Sequence, residues 1–169
     1  MDKRYPIEQF DCPIKVQKKD IQAWIKELST LPIRLISLTV SLDELELTKT
    51  YREQSWNVRQ LIHHIVDSHM NGYLRMKLAL TEENPLVKTY EESEWAKLTD
   101  YNLPIKVSLQ LLESLHERWA NLLKNLTTSQ LQRTYQYSDG SKMRIEQSIA
   151  LYAWHDNHHL AHIQQALNN

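Results

Sequence analysis

Histidines are the side chains of this sequence whose types and spacing most clearly suggest chemistry. Eight occur among 169 residues, and seven of these fall into two short segments. The two sets are His63, His64 and His69, and then His155, His158, His159 and His162. Neutral imidazole is a common ligand of divalent metals, and residues four apart on a helix share a face. The pattern therefore predicts a metal site.

Helical phase separates the two histidine pairs of the second segment. Its apolar residues form a stripe that defines the direction of the core. His155 and His159 lie nearer to that direction, whereas His158 and His162 are expected to face solvent or the rim of a groove. This phase favours His155 and His159 as the metal ligands.

The same reasoning does not choose a ligand in the first segment. His63 and His64 flank the apolar stripe of their helix at similar angles on opposite sides. His69 lies on the stripe itself, where a hydrogen-bonded core histidine is the simpler interpretation. Three histidines from two helices would leave a coordination position open, which is typical of a catalytic rather than a structural metal site.

Three other interpretations compete with a mononuclear three-histidine site. Glu113 and His116 have the Glu-x-x-His spacing of di-iron bundles, and Asp156 with His159 imitates a second copy. Those proteins also need two further inward-facing glutamates, which have no counterpart here. The HExxH motif of zinc proteases is absent. The histidines could also form a non-binding, His-rich surface, but their presence on two helices favours the metal site.

Long helices must position these side chains. Only two glycines occur, which excludes the glycine-rich phosphate-binding loops of Rossmann and P-loop proteins. Apolar periodicity predicts helices over 20–40, 57–80, 105–126 and 144–167. Pro32 is expected to kink the first helix or to divide it into two pieces.

The connections between the helices complete the predicted fold. Residues 81–104 form a long crossover with a short helix around Glu91–Leu98, which lets the second and third helices run parallel. Residues 136–142 read as a turn, with short extended pieces on either side. We predict a single all-α domain over residues 1–169, an antiparallel four-helix bundle with a long crossover after the second helix.

Composition narrows the classes of partner. Lys and Arg number 20 against 21 Asp and Glu, so no overall positive field attracts nucleic acid or an anionic membrane. No segment approaches the roughly 18 apolar residues of a membrane span, and the N-terminus lacks a secretory signal. Cys12 stands alone and cannot form an internal disulfide. We expect a cytoplasmic protein without nucleic-acid or membrane partners.

Several segments together resemble a known family. They are SWNVRQLIHHIVDSHMN at 55–71, the EENP…Y…W segment at 82–95, LHERW at 115–119 and LYAWHDNHHLAHI at 151–163. In these segments the chain resembles the DinB-like superfamily, and most closely its YfiT-like branch of metal-dependent hydrolases and bacillithiol transferases. The resemblance implies a four-helix bundle of DinB/YfiT-like type, and a homodimer. It also implies one zinc or nickel ion per chain, held by His64, His155 and His159.

The resemblance further implies the chemistry. The expected activity is a metal-dependent transfer of bacillithiol, a low-molecular-weight thiol, to electrophilic small molecules in detoxification or stress response. The alternatives are a metal-dependent hydrolase that uses a bound water, and a non-catalytic metal-binding bundle. No general base is identified, so a metal-bound thiolate or water is the expected nucleophile. Asp67 and His162 are candidates to orient the ligands, and Arg59, Arg75 and Arg118 to bind a substrate carboxylate.

Overall fold

The computed structural model describes residues 2–169, and helices dominate it. Within residues 2–169 there are seven α-helices, one 3₁₀ helix and two strands. In chain order they are α1 (Lys18–Thr39), α2 (Glu44–Leu47), α3 (Val58–Thr81), α4 (Glu92–Trp95), the 3₁₀ helix Thr99–Asn102, α5 (Ile105–Lys124), α6 (Thr128–Leu131), β1 (Thr134–Gln136), β2 (Lys142–Arg144) and α7 (Ile145–Leu167). The predicted helices and the turn between two extended pieces are thus confirmed, with ends displaced by a few residues.

The four long helices form the bundle, in which α1 and α3 each pack against both α5 and α7. Two contacts fix the relative direction of α3 and α5. His63 lies 2.7 Å from the hydroxyl of Ser108, and two turns or more further along both helices Trp119 Nε1 donates to the sulfur of Met76. The helices therefore run parallel, as the long crossover predicts.

Helices α3 and α7 run antiparallel and approach closely. A Cβ atom on Gly72 of α3 would lie only 2.3 Å from Cζ of Tyr152 on α7, so only glycine fits there. The beginning of α3 is fixed by reciprocal capping, since Asn57 Oδ1 accepts from the Gln60 amide while Gln60 Oε1 accepts from the Asn57 amide. The capping fixes the residue at which α3 begins, and the close contact at Gly72 fixes how near α3 lies to α7.

Helix α1 continues through Pro32 without a break, so of the two predicted outcomes the division into two pieces is wrong. Proline has no amide hydrogen, so the carbonyl of Leu28, four residues earlier, loses its usual helical donor. His116 of α5 replaces that donor, with its Nδ1 2.6 Å from the Leu28 oxygen. A side chain from the neighbouring helix thus satisfies the carbonyl that the proline leaves free.

A polar layer divides the core into two apolar clusters. One cluster gathers Leu31 and Leu35 of α1 around Ile62 of α3, and the other contains Trp119 and Tyr152. Between them, at mid-height of the bundle, lie the buried polar residues His64, His69, His116, Asp156 and His159. Because buried polar groups need hydrogen-bond partners, the contacts that these five side chains make determine what the layer can bind.

The remaining segments cover the bundle. Residues 2–17 run along α7 in the opposite direction, and Trp154 Nε1 donates to the carbonyl of Glu8 while Gln147 Nε2 donates to that of Pro13. The crossover pairs with the hairpin, since the amide of Val87 donates to the carbonyl of Gln136. No helix within residues 2–169 combines the length and the apolar character needed to cross a membrane.

Candidate metal centre

The structure brings His64, His155 and His159 together at mid-height between α3 and α7. A ring nitrogen from each lies within 4.8 Å of the others. The ring centroids are 4.3 Å apart for His155 and His159, 4.9 Å for His64 and His159, and 5.4 Å for His64 and His155. His64 and His159 are buried, whereas His155 is partly exposed. The cluster therefore has access to solvent through His155.

Burial keeps these three imidazoles neutral. The pKa of His64 is lowered to about 3, mainly by burial and to a smaller extent by the nearby His69. The pKa values of His155 and His159 fall well below the usual range, again mainly through burial and then through the neighbouring histidines. Only a neutral imidazole has a lone pair for a metal, so at neutral pH the cluster is in the binding form.

The hydrogen bonding of the cluster also fits a metal. The buried Nδ1 atoms of His64 and His155 have no hydrogen-bond partner within residues 2–169. Unpaired buried polar atoms are costly and rare in native proteins, and they call for an occupant. Three neutral nitrogens with spare lone pairs form a typical donor set for zinc or nickel. That these residues bind a metal remains a prediction.

His63 occupies a different environment from its neighbour His64. Its Nδ1 lies 2.7 Å from the hydroxyl of Ser108, and its Nε2 lies 3.1 Å from the carbonyl of Leu103. Both nitrogens are therefore paired, and the ring ties α3 to the start of α5. The structure distinguishes the two histidines, which periodicity alone does not.

His69 belongs to a second buried cluster, as its place on the apolar stripe predicts. Its Nδ1 lies 2.8 Å from Nε2 of His116, whose Nδ1 donates to the Leu28 carbonyl. On the other side, His69 Nε2 lies 2.9 Å from Oδ1 of Asp156. Burial lowers the pKa of His69 to about 3 and raises that of Asp156 well above its usual range. These two pKa shifts imply that the Asp156 carboxyl is protonated and that the His69 ring it faces is neutral.

This second cluster also removes the di-iron alternative. Both nitrogens of His116 already have partners, and Glu113 is exposed on the surface of α5. Asp156 is buried, but it faces His69 rather than a second glutamate. The Glu-x-x-His spacing at this position is therefore not a metal-binding motif.

His158 and His162 lie where the phase argument does not place them. Both are buried, at 8% and 3% exposure, rather than turned to solvent. The N-terminal segment covers their face, since the carbonyl of Arg4 lies 3.2 Å from His162 Nε2 and the Tyr5 ring packs near His158. The expectation of a solvent-facing pair is wrong, because a segment without helical periodicity lies over this side of α7.

Of the two residues predicted to orient the metal ligands, His162 contacts one of these ligands and Asp67 does not form a hydrogen bond with His64. His162 Nδ1 lies 3.5 Å from Nδ1 of His159, so it contacts a proposed ligand directly. The Asp67 carboxylate instead accepts a 2.7 Å hydrogen bond from the Tyr101 hydroxyl. Nδ1 of His64, by contrast, has no partner among the described residues. The structure therefore does not bring Asp67 into contact with His64 as a hydrogen-bonding partner.

A cavity of about 580 Å³ opens beside His155. Its lining combines residues of α3, α7, the crossover and the hairpin, among them Ser68, Arg75, Tyr90, Glu92, Tyr137 and Tyr152. The guanidinium of Arg75 donates to the Lys88 carbonyl and lies over the Tyr137 ring, at 5.6 Å from its centroid. Arg75 makes no ion pair within residues 2–169, although its charge acts on the Glu92 carboxyl of the same cavity and opposes the rise in the pKa of that group.

The other two candidate arginines lie elsewhere. Arg59 pairs with Glu44 and donates to the carbonyl of Leu103. Arg118 is exposed and packs its guanidinium over the ring of Tyr73. Tyr90 is the tyrosine of the EENP…Y…W segment and Tyr137 belongs to no motif, and sequence reasoning assigns neither of them to the site.

Comparisons with known proteins agree with this fold. A protein of Halalkalibacterium halodurans, provisionally named a metal-dependent hydrolase, is 83% identical over 99% of this chain and 98% of its own length. A relative from Oceanobacillus iheyensis with the same provisional name is 47% identical over 96% of this chain and 95% of its own. Both names are those of the relatives and do not by themselves assign an activity to this chain.

Two solved structures share the fold. YfiT from Bacillus subtilis, described as a probable metal-dependent hydrolase with an unusual four-helix bundle topology, superposes with a TM-score of 0.95. It is 37% identical, and the match covers 98% of this chain and 96% of that one. A mycothiol-dependent maleylpyruvate isomerase superposes with a TM-score of 0.68 at 14% identity, over 85% of this chain and 60% of the isomerase, which shows a shared fold alone.

The family assignment rests on the sequence as well as on the fold. The profile of the DinB superfamily matches residues 27–163, a range that includes all three histidines of the cluster. Together with the relatives of high identity over nearly the whole chain, this match shows that the protein belongs to the DinB superfamily.

Proposed function

We propose that this protein is a metal-dependent enzyme that transfers a low-molecular-weight thiol, bacillithiol, to small electrophiles. The observation that carries the proposal is the cluster of His64, His155 and His159, which are neutral, close together and open on the side of His155. A zinc or nickel ion held by these residues would supply Lewis acidity that lowers the pKa of a coordinated thiol.

The protein itself contributes position and charge. His64 comes from α3, while His155 and His159 come from one face of α7, so two rigid helices fix the geometry. The polar layer lies between two apolar clusters, which keeps water away from the buried nitrogens of His64 and His159. The partly exposed side of His155 is left as the entrance for substrates.

The cavity beside His155 fits a polar thiol. Hydroxyl groups of Ser68, Tyr90, Tyr137 and Tyr152 line it, together with the charged groups of Arg75 and Glu92. Such a lining suits a ligand with several hydroxyl and carboxylate groups better than an apolar one. We assign to Arg75 the binding of a thiol carboxylate, because its guanidinium is held in place and unpaired.

Hydrolysis is the second candidate, and Glu92 favours it. Burial raises the pKa of this carboxyl, which lines the same cavity, and such a group can accept a proton from water. The provisional names of the relatives also indicate hydrolysis. In this case an ion held by His64, His155 and His159 would supply Lewis acidity to a water instead, and no thiol would be needed.

A conjugation assay separates the two candidates. The metal-loaded protein is mixed with bacillithiol and a chlorobimane reagent, and fluorescence of the conjugate is followed beside a His64→Ala variant with bound metal quantified. We expect conjugation that needs both thiol and metal and that is lost in the variant. Turnover of ester or amide substrates without any thiol, combined with no conjugation, would instead establish the hydrolase.

The role of Arg75 gives a sharper test of the thiol site. Arg75→Gln removes a charge-assisted contact, so we expect KM for bacillithiol to rise about tenfold or more with little change in kcat. Arg118→Gln is the matched control, since that arginine is exposed and lies outside the cavity. Equal KM values in the two variants would remove Arg75 from the thiol site.

A further inference from the structure

We propose that His162 is a positioning residue for His159, and that the backbone of the N-terminal segment anchors it. This inference rests on the proposed function, since it concerns a ligand of the same centre. In this arrangement the carbonyl of Arg4 fixes which nitrogen of His162 carries the proton. His162 in turn fixes which nitrogen of His159 is free to bind a metal.

The proton positions follow from the acceptors. A carbonyl oxygen only accepts, so the 3.2 Å contact between His162 Nε2 and the Arg4 oxygen requires the hydrogen on Nε2. A neutral imidazole has a single N–H, so with the hydrogen on Nε2 the Nδ1 atom of His162 carries a lone pair. That lone pair faces Nδ1 of His159 at 3.5 Å, and a hydrogen on His159 Nδ1 completes the contact.

This pairing leaves Nε2 of His159 with its lone pair. Metal-binding histidines usually donate their other ring nitrogen to a neighbouring acceptor, which fixes the tautomer and the ring orientation. The acceptor is most often a carboxylate or a carbonyl, whereas here it is a second imidazole that is itself tied to the backbone. The N-terminal segment thereby contributes to the centre without supplying a ligand.

The surroundings of His162 hold its ring still. It stacks on Tyr51 with ring centroids 3.9 Å apart and only 3% of the residue is exposed. The anchoring carbonyl is itself fixed, because the N-terminal segment is tied to α7 again at the contact between Glu8 and Trp154. A rigid acceptor at a set distance is what a positioning role requires.

A second metal ion is the competing explanation of the same geometry. Nitrogens of His158, His159 and His162 also lie within 4.8 Å of one another, and Nδ1 of His158 is buried without a partner among the described residues. That ion would share His159 with the first, so both nitrogens of this ring would have to lose their protons. A neutral imidazole keeps one, which favours the positioning role.

Two substitutions at His162 test the inference. Gln can accept from His159 through its oxygen and donate to the Arg4 carbonyl through its amide, whereas Leu can do neither. We expect His162→Leu to weaken zinc binding by about 10- to 100-fold and His162→Gln to stay within about threefold of the wild type. Zinc affinity is measured by competition with a chromophoric chelator, and folding is checked by circular dichroism.

The tautomer of His159 provides a readout that does not depend on metal. Nitrogen NMR of the metal-free protein should show the hydrogen on Nδ1 of His159 in the wild type and in His162→Gln, and a mixture of tautomers in His162→Leu. Wild-type zinc affinity in a folded His162→Leu variant would overturn the inference. So would two zinc ions per wild-type chain. If the wild type binds no zinc, the proposed function fails, and the tautomer still decides the role of His162.

Discussion

Two histidine clusters lie side by side in the polar layer, and they differ in what their nitrogens contact. In the cluster of His69, His116 and Asp156, both nitrogens of each ring lie within 2.9 Å of a protein atom. In the cluster of His64, His155 and His159, buried Nδ1 atoms of two rings have no partner among the described residues. Each ring of the first cluster thus faces protein atoms at both nitrogens, although His69 Nε2 and the Asp156 carboxylate oxygens do not form a regular hydrogen bond. The second cluster has two ring nitrogens that face no protein partner among the described residues, which is why we propose it as the metal centre.

The difference shows that burial does not by itself mark a metal ligand. Burial lowers the pKa of His64 and of His69 to about 3 alike, so both are neutral imidazoles. They differ in their polar neighbours, since the two nitrogens of His69 lie 2.8 Å from His116 Nε2 and 2.9 Å from Asp156 Oδ1, whereas Nδ1 of His64 has no hydrogen-bond partner among the described residues. The carbonyl of Leu28, which Pro32 leaves free, supplies the last partner of the closed cluster.

Removal of metal should break activity and leave the fold in place. Treatment with a chelator is expected to lower the rate of thiol conjugation by about 1,000-fold or more, because Lewis acidity contributes several kcal/mol to such reactions. The helical content should persist, since the closed cluster and the apolar clusters hold the bundle. Rates and circular dichroism before and after chelation, with zinc added back, measure both. Unfolding on chelation would contradict the division between the clusters.

Disruption of the closed cluster should have the opposite effect. His69→Leu leaves Asp156 and His116 buried without their partner, so we expect the free energy of unfolding to fall by about 2–5 kcal/mol. His64 has a ring nitrogen without a hydrogen-bond partner among the described residues, so His64→Gln should change the stability of the metal-free protein by much less. Urea denaturation of the three metal-free proteins gives the comparison, and equal losses would show that the two clusters do not differ in this way.

Gly72 tests the helix spacing on which both clusters depend. Gly72→Ala puts a methyl group 2.3 Å from Tyr152 Cζ, and overpacking of this kind costs about 1–3 kcal/mol. Combining it with Tyr152→Leu should cost less than the sum of the two single changes, because the smaller side chain makes room. Thermal or urea unfolding of all three variants checks this. Strict additivity would show that the close approach is not what constrains position 72.

The most gradual effect concerns the pH dependence of stability. A histidine in the unfolded chain has its ordinary pKa of 6.5, whereas burial lowers the pKa of His64 in the folded protein to about 3. Between these values the unfolded state binds more protons, so the stability of the metal-free protein falls as pH decreases from 7 to 4. His64→Gln should flatten this dependence by at most about 1.4 kcal/mol per pH unit. Unfolding free energies at pH 7, 6, 5 and 4 measure the slope, and identical slopes would refute the low pKa of His64.

Periodicity and capping signals were sufficient to predict the long helices, the crossover and the pairing of His155 with His159. They failed where the decisive contact comes from a distant segment. His63 is excluded by Ser108 and Leu103 of another part of the chain, and the burial of His162 depends on the N-terminal segment, which has no periodic pattern.

The continuity of α1 has the same explanation. A proline at this position predicts a break, and the sequence alone does not reveal that His116 of α5 will take the place of the missing donor. The lining of the cavity is also a tertiary property, since Tyr90 and Tyr137 come from the crossover and the hairpin.

The most direct test of the proposed centre uses the adjacent histidines of α3. His64→Gln and His63→Gln are purified beside the wild type, loaded with zinc, and their metal content is measured by mass spectrometry under native conditions. Gln can keep the contacts of His63 with Ser108 and Leu103, so this variant is the matched control. We expect one tightly bound zinc per chain in the wild type and in His63→Gln, and loss of it in His64→Gln. Full zinc content in a folded His64→Gln variant would contradict the assignment of the centre.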